Sequence, residues 1–323
     1  MGLDDHPLLI MNIVLLFPGQ GSQKPGMGKD LANEFAEAKR VFEEVDDALG
    51  FSLSDLCFEG PAEDLTATLN AQPALLAHGA AVWAVAKSIL GDTVCAAGGH
   101  SLGEHTAYHA AGSTTLTDAV KLVRRRGQLM YETGVTRPGA MAAILGKLND
   151  SIESLCELAT RSSGMVVPAN YNTDEQIVVS GEVAGVEKVM SLAKENGAKR
   201  AVRLPVSGAF HSPLMEPAVA GFSEAVNATE FAEPAFPVYS NVTEGPSDSA
   251  ANARELLIRQ LTAPVKWTGE ITRLCGQFPD ALFVEMGPGN VLTGLLTRIV
   301  PTARGIAVGT PADIEKLATQ VAA

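Results

Sequence analysis

A serine lies in a turn flanked by glycines, at Gly99-His100-Ser101-Leu102-Gly103. A nucleophilic hydroxyl must stand clear of the backbone, and small residues two positions before and after it permit a sharp strand-to-helix turn. The neighbouring sequence supplies that context, because residues 93–97 predict a short buried strand and residues 102–111 a helix rich in Ala and Leu. The pattern predicts a nucleophile elbow with Ser101 at its tip.

Histidine is the side chain best suited to activate such a serine near neutral pH, and the chain has six. His100 adjoins Ser101 and is expected to point away from it across the turn. His105 lies one helical turn further on, where reaching back is strained, so we assign it a structural role. His211 is the remaining candidate, and the order serine-then-histidine is typical of α/β serine enzymes.

A triad acid is missing from this pattern. The aspartates between the two residues, Asp118, Asp150 and Asp174, lack the strand-end context of such an acid. The better hypothesis is a Ser101–His211 dyad whose imidazole is oriented by a backbone carbonyl.

Two further stretches could contact a ligand. The loop over residues 18–23 follows an apolar run, but Gln23 and Lys24 stand where phosphate-binding loops need glycine. Its backbone N–H groups suit an oxyanion donor, and a plain turn is the alternative. Arg126 lies in a predicted helix over residues 118–131, where two other arginines precede it and Gly127 follows it. Either one guanidinium turns inward to a ligand, or this is an ordinary basic helix face.

The elements that position these groups alternate between strands and helices, which indicates a parallel sheet covered on both faces. Helices are predicted over residues 30–49 and 72–90, the second opened by Pro73. Residues 139–206 predict the order β-α-β-β-α-β, which is the ferredoxin-like pattern. We therefore expect an α/β fold: an α/β-hydrolase-like parallel-sheet domain over residues 1–136 and 207–323, with an inserted ferredoxin-like small subdomain over residues 137–206.

Composition narrows the class of protein. A formal net charge of -13 argues against a broad nucleic-acid surface, although two clusters of basic residues could meet an acidic partner or be solvated helix faces. The apolar stretch over residues 8–17 follows two aspartates and is interrupted by Asn12, so neither a signal peptide nor a membrane span is expected. The residues before Met11 are interpreted as an extension. Four dispersed cysteines without metal-ligand spacing suggest reduced thiols of a cytoplasmic protein.

Five motifs, taken in order and with their separations, resemble those of the malonyl-CoA:acyl-carrier-protein transacylase family over residues 11–310. They are Phe17-Pro18-Gly19-Gln20-Gly21-Ser22-Gln23, Gly99-His100-Ser101-Leu102-Gly103-Glu104, Arg126-Gly127-Gln128-Leu129-Met130, Gly208-Ala209-Phe210-His211-Ser212-Pro213-Leu214-Met215 and Glu285-Met286-Gly287-Pro288-Gly289.

The resemblance implies a catalytic role for four residues. Ser101 matches the nucleophile that accepts the malonyl group as an ester, and His211 matches the base. The backbone N–H groups of Gln20 and Leu102 match the oxyanion hole.

The resemblance also implies how substrate and base are held. Arg126 matches the arginine that binds the free carboxylate of malonate, and Phe210 a residue associated with malonyl over methyl-branched acyl groups. Gln260 matches the residue whose main-chain carbonyl orients the histidine, and Asn170 and Asn172 fall where the small subdomain lines the cleft. One departure is His105, where many relatives have tyrosine.

The implied function is ping-pong transfer of malonyl from malonyl-CoA to the phosphopantetheine thiol of acyl carrier protein, as in fatty acid biosynthesis. Whether this carrier serves fatty-acid or polyketide synthesis stays open. We expect no metal or other cofactor, no nucleic-acid or membrane partner, a monomer and a cytoplasmic location. Two alternatives stay open: a serine thioesterase or hydrolase using the same elbow, and an acyl-CoA-binding subunit that keeps the motifs without turnover.

Overall fold

The computed structural model describes residues 11–206 and 208–322, which form ten strands, fourteen α-helices and two short 3-10 helices. The strands are β1 Ile13–Phe17, β2 Val94–Gly99, β3 Ala140–Leu145, β4 Val166–Thr173, β5 Gln176–Gly181, β6 Arg200–Arg203, β7 Val238–Tyr239, β8 Pro246–Ser247, β9 Leu282–Met286 and β10 Arg304–Val308. The helices are α1 Lys29–Glu34, α2 Ala36–Leu49, α3 Leu53–Glu59, α4 Ala62–Thr66, α5 Thr68–Leu90, α6 Leu102–Ala110, α7 Leu116–Thr136, α8 Ile152–Ser162, α9 Val183–Glu195, α10 Glu216–Ala228, α11 Ala250–Gln260, α12 Trp267–Gln277, α13 Val291–Ile299 and α14 Pro311–Val321.

The larger sheet has the strand order β10-β9-β1-β2-β7-β8, and its strands are parallel except for the antiparallel edge strand β8. All five residues of β1 are buried. Ile13, Leu15 and Phe17 face a core built with α5, whereas Val14 and Leu16 face a second core with α12 and α13. A strand covered on both faces reads as an unbroken apolar run, which is why the sequence identifies β1 so clearly.

The smaller sheet is antiparallel with the order β4-β5-β3-β6, and α8 and α9 cover one of its faces. Its elements follow the predicted order β-α-β-β-α-β, so the expected fold class, a parallel sheet with a ferredoxin-like insertion, is confirmed. Strand β4 is also joined to the larger part of the chain. The N–H of Val265 donates to the carbonyl of Ala169 at 2.8 Å, and the N–H of Tyr171 donates to the carbonyl of Val265 at 2.9 Å.

Two predicted helix boundaries are wrong. The helix expected over residues 30–49 is two helices, because Phe35 takes an extended conformation between α1 and α2. Helix α5 begins at Thr68, so Pro73 lies inside it instead of opening it. Proline has no N–H for the carbonyl four residues earlier. That carbonyl, of Leu69, instead accepts a 2.7 Å hydrogen bond from Arg124 Nη1, which accounts for a proline within this helix. Residues 1–10, interpreted as an extension, lie outside the described residues.

Helix α5 also bears on the expectation that no segment spans a membrane. Within the described residues, Thr68–Thr93 is long and apolar enough to cross one, but 72% of its most apolar window is buried inside the protein. The helix packs against α2, α6 and α7. Its composition is that of a core helix, so its length and hydropathy are weak evidence for a membrane span.

The glycine that follows the three consecutive arginines of α7 permits close helix packing. A Cβ at Gly127 would lie 2.9 Å from both the Cα of Leu69 and the carbonyl oxygen of Thr68. Both are backbone atoms in the first turn of α5. Helices α5 and α7 therefore meet at a distance that only glycine allows at this position.

Gly127→Ala is expected to destabilise the fold by about 1–3 kcal/mol, because backbone atoms cannot move aside as a flexible side chain can. Urea unfolding followed by circular dichroism measures this change. The matched control is Gly276→Ala in α12, where an added Cβ meets nothing within 4 Å. That variant is expected to gain about 0.5–1 kcal/mol from the higher helix propensity of alanine. Equal effects at both glycines would contradict the packing explanation.

Candidate active site

The serine predicted at the elbow lies between β2 and α6. Ser101 has φ 52° and ψ −103°, a conformation with positive φ that few non-glycine residues adopt. A Cβ at Gly99 would lie 2.0 Å from the Gly103 carbonyl carbon, and one at Gly103 would lie 1.9 Å from the Phe17 carbonyl oxygen. The glycines flanking the serine are therefore required by the turn itself, and the turn presents the hydroxyl above the end of the parallel sheet.

The serine and the histidine expected to pair with it are in contact. Ser101 Oγ lies 2.7 Å from His211 Nε2. On the other side of the ring, Nδ1 donates to the carbonyl of Gln260 at 2.9 Å and lies 3.2 Å from the carbonyl of Ala263. A protonated Nδ1 leaves the Nε2 lone pair to accept the serine proton. The expected carbonyl at Gln260 therefore lies where it orients the ring.

His211 is buried, and its protonated form is disfavoured. Desolvation, followed by the positive charge of Arg126, lowers the pKa of His211 to about 3, and the carbonyl of Gln260 partly opposes this shift. The imidazole is therefore neutral at physiological pH and available as a base.

Arg126 lies beside the serine and is itself buried, with 1% of its surface exposed. Its Nη2 donates to Ser101 Oγ at 3.2 Å and to Gln260 Oε1 at 2.9 Å, and its Nη1 donates to Gln72 Oε1 at 2.8 Å. Its Nε has no partner among the described residues. Burial lowers the pKa of Arg126 to about 10, and the buried carboxyl of Glu104 opposes that shift. The guanidinium therefore stays charged and keeps an unused donor.

These groups open onto one cavity of about 290 Å³. Every residue that the sequence assigned to the site lines this cavity except Gln260, which holds the histidine from behind. The lining includes Gln20, Ser101, Leu102, Arg126, Asn170, Asn172, Phe210 and His211. The small sheet supplies one wall, with Met141, Ala143 and Val178 beside the two asparagines. Charged and nucleophilic groups lie on the large-sheet side, and mostly apolar groups face them.

The other histidines are placed elsewhere. His100 donates from Nε2 to Asn172 Oδ1 at 2.8 Å and thereby links the elbow to the small sheet. It lines the cavity without a hydrogen bond to the serine, in agreement with the expectation that it points away. His105 is buried, and its ring packs edge-on against Phe222 with centroids 6.0 Å apart.

Several buried polar residues that support the site were not predicted from the sequence. Gln72, Asn241 and Glu270 are buried and hydrogen-bonded to the groups above or to one another, as is Glu104, which was quoted only as part of a motif. A signal existed for Glu270, because it shares the apolar face of α12 with Trp267, Ile271 and Leu274. A carboxyl group on such a face is buried and needs a polar partner.

Comparison with known proteins places the chain among enzymes. Residues 14–311 match the family described as acyl transferase domain. The malonyl CoA-acyl carrier protein transacylase of Bacillus subtilis strain 168 is 45% identical over 303 residues, covering 94% of this chain and 95% of that protein. The protein of the same name from Escherichia coli K12 is 40% identical and covers 92% and 95% of the two chains.

Solved structures agree with these matches. The acyl-carrier-protein-S-malonyltransferase of Bartonella henselae superposes with a TM-score of 0.92 at 42% identity, covering 97% of this chain and all of that one. A malonyl-transacylase solved in complex with a type II PKS acyl-carrier protein superposes with a TM-score of 0.91 at 39% identity, covering 96% and 99% of the two chains. By the extent and level of these similarities, the chain belongs to the acyl transferase family and, within it, to the malonyl CoA-acyl carrier protein transacylases.

Proposed function

We propose that this protein moves the malonyl group from malonyl-CoA to the phosphopantetheine thiol of acyl carrier protein, through an ester on Ser101. The observation that carries the proposal is the position of Arg126, whose Nη2 lies 3.2 Å from the Ser101 hydroxyl oxygen in a buried site. A desolvated guanidinium gives no advantage with an uncharged acyl group, whereas the free carboxylate of a malonyl thioester can accept parallel hydrogen bonds from it. Relatives named for this activity support the substrate class.

In the first half-reaction, His211 Nε2 takes the proton of Ser101 as Oγ attacks the thioester carbonyl. The N–H groups of Gln20 and Leu102, which border the cavity from the first loop and the start of α6, are proposed to stabilise the oxyanion. Collapse of the tetrahedral intermediate breaks the C–S bond. The coenzyme A sulfur leaves with the proton held by His211, and the malonyl ester remains on Ser101.

The second half-reaction reverses these roles. The carrier thiol gives its proton to His211 Nε2 and its sulfur attacks the ester carbonyl. Ser101 Oγ then leaves and recovers the proton from His211. Transfer prevails over hydrolysis when water is kept from the ester.

Acyl selectivity is proposed to come from two sides of the cavity. Arg126 anchors the carboxylate, and Phe210 restricts space beside the α-carbon and so disfavours methyl-branched groups. Asn170 and Asn172 line the opposite wall, where Asn172 is already bonded to His100.

Mass mapping after incubation with labelled malonyl-CoA tests this function. The expected result is a malonyl adduct on Ser101 that persists until phosphopantetheinylated carrier is added and then moves to the carrier. Rapid loss of the adduct to water would instead identify a thioesterase or hydrolase. No adduct would identify a binding subunit without turnover.

The pH dependence of ester formation follows from the neutral state of His211. The base form is lost only as pH falls through the pKa of the folded protein, about 3, rather than through the usual value for histidine. The value of kcat/KM for acylation by malonyl-CoA is therefore expected to stay nearly constant from pH 7.5 to 5.5. With an ordinary histidine pKa of about 6.5, it would fall about tenfold over the same interval. Stopped-flow acylation at a series of pH values distinguishes the two outcomes.

Narrower features of the protein stay predictions. We propose that the protein acts in the cytoplasm as a monomer, without a metal or organic cofactor, and that it serves fatty acid biosynthesis. We also propose that the boundaries between the large and the small subdomain lie near residues 136 and 206. Within the described residues, no cluster of three or more His, Cys, Asp or Glu side chains could hold a metal ion.

A further inference from the structure

A cluster of buried polar side chains lies behind the elbow, on the side away from the cavity. Asn241 is at its centre, with the carboxyl groups of Glu104 and Glu270 on either side, and none of the three has measurable exposure. The backbone N–H of Asn241 donates to Glu104 Oε2 at 3.1 Å, and its Nδ2 donates to Glu270 Oε2 at 2.7 Å. Both the backbone and the side chain of Asn241 are therefore fixed.

The side-chain amide of Asn241 spans the turn that carries the nucleophile. Its Oδ1 accepts from the backbone N–H of Ser101 at 2.7 Å, and its Nδ2 donates to the carbonyl of Gly99 at 2.8 Å. These two backbone groups stand on either side of His100. One rigid amide thus holds the turn at the residue whose φ of 52° needs support from its surroundings.

The cluster also touches the residue that orients the base. Gln260 Nε2 donates to the carbonyl of Ser101 at 3.1 Å and to Glu104 Oε2 at 2.7 Å, and lies 3.3 Å from Asn241 Oδ1. The main-chain carbonyl of Gln260 holds His211. Asn241 therefore belongs to a hydrogen-bonded unit that fixes the nucleophile and the orienter of its base together.

We propose that Asn241 is a positioning residue for acyl transfer, which clamps the Gly99 carbonyl and the Ser101 N–H so that the serine hydroxyl and the Leu102 N–H keep their reactive directions. This inference rests on the proposed function, because it takes Ser101 as the nucleophile. Asn241 does not line the cavity, so its effect passes through the turn rather than through contact with substrate.

The state of Glu270 indicates which substitution preserves the clamp. Burial, followed by the nearby charge of Glu104, raises the pKa of Glu270 well above its ordinary value, which favours the uncharged form of this carboxyl. Asn241 Nδ2 donates to a single oxygen of Glu270, and the amide of glutamine supplies a carbonyl oxygen that can accept the same hydrogen bond. Glu270→Gln is therefore the conservative variant, expected to acylate at nearly the wild-type rate.

The test measures ester formation on Ser101 with two reagents: saturating malonyl-CoA, and a small uncharged sulfonyl fluoride that modifies reactive serines. Asn241→Ala is expected to lower both rate constants by about 10²-fold, since small misplacements of a reacting group have effects of this size. The Kd for malonyl-CoA, measured in a Ser101→Ala background, is expected to stay unchanged. A defect in the carboxylate anchor would slow malonyl-CoA alone, and general loss of structure would weaken binding.

The matched control is Asn196→Ala. The side chain of Asn196 likewise bridges a backbone N–H and a carboxylate, both of Asp150, but it does so in the small subdomain and away from the cavity. Its reaction with both reagents should equal that of the wild type. If Asn241→Ala does not fold, Asn241→Ser replaces it, because a hydroxyl is too short to span the two backbone groups and the same loss is expected.

The outcomes separate the two proposals. A wild-type protein that forms no malonyl ester overturns the proposed function, while the sulfonyl fluoride arm still measures positioning. Wild-type rates in folded Asn241→Ala or Asn241→Ser, or a loss in Glu270→Gln as large as that in Asn241→Ala, overturn the role assigned to Asn241.

Discussion

Replacement of His211 by alanine is expected to slow formation of the malonyl ester on Ser101 by about 10³- to 10⁴-fold, the upper range for loss of a general base. The reason is geometric as well as chemical. His211 Nε2 lies 2.7 Å from Ser101 Oγ. Nδ1, on the opposite side of the ring, lies within hydrogen-bond distance of two main-chain carbonyls. Rapid-quench measurement of labelled enzyme gives the rate, and the affinity for malonyl-CoA is expected to change little.

His109→Ala is the matched control for this experiment. His109 lies on α6, within the same strand-turn-helix unit, but its Nδ1 is bonded to the Thr114 carbonyl and it does not border the cavity. This variant should acylate as the wild type does. Near-normal acylation by His211→Ala would contradict the dyad and direct attention to His105.

Arg126→Ala is expected to lower acylation by malonyl-CoA about 10²- to 10⁴-fold relative to acylation by acetyl-CoA. Two hydrogen bonds to a charged group are each worth roughly 1.5–3 kcal/mol, and each 1.4 kcal/mol corresponds to a factor of ten. Acetyl-CoA has no free carboxylate, so it cannot lose that interaction. The ratio of the two kcat/KM values measures the effect and cancels losses common to both substrates.

Two further variants sharpen the interpretation of this ratio. Arg126→Lys keeps the charge without the planar fork and should recover only part of the preference for malonyl-CoA. Arg125→Ala removes the adjacent, exposed guanidinium of α7 and should leave the ratio unchanged. Equal losses with both acyl groups in Arg126→Ala would contradict the anchoring role and make Arg126 a support for Ser101 alone.

The parts of the site that local patterns could predict are those whose geometry is itself local. The glycines around Ser101 report a backbone turn, and they predicted its conformation because no side chain fits there. The alternating strands and helices likewise predicted both sheets, since each element buries a face that shows in its own periodicity. The sequence pattern left two alternatives open for Arg126 and did not mark Gln260 at all, so only the resemblance to a family assigned roles to these two residues.

The remaining parts depend on contacts between distant positions. Asn241 is 140 positions from Ser101, to which it is hydrogen-bonded, and 29 positions from its partner Glu270. An asparagine in a loop has no periodicity that would mark it as buried. The start of α5 was missed for a similar reason. The carbonyl that Pro73 leaves free is satisfied by Arg124, 55 positions away from Leu69, so no local rule for proline could place the boundary.

The backbone contact between Val265 and β4 limits how freely the small subdomain can be exchanged between relatives. Val265 pairs with β4 through two backbone hydrogen bonds, and the short segment before it supplies the carbonyls of Gln260 and Ala263 that hold His211. A chimera joined only at the ends of the insertion would place a foreign strand against this segment. Any misfit would shift the carbonyls that contact His211 and so change the orientation of its ring. A graft intended to alter substrate choice would therefore also alter the rate of proton transfer. A productive exchange must carry residues 260–265 together with the small subdomain.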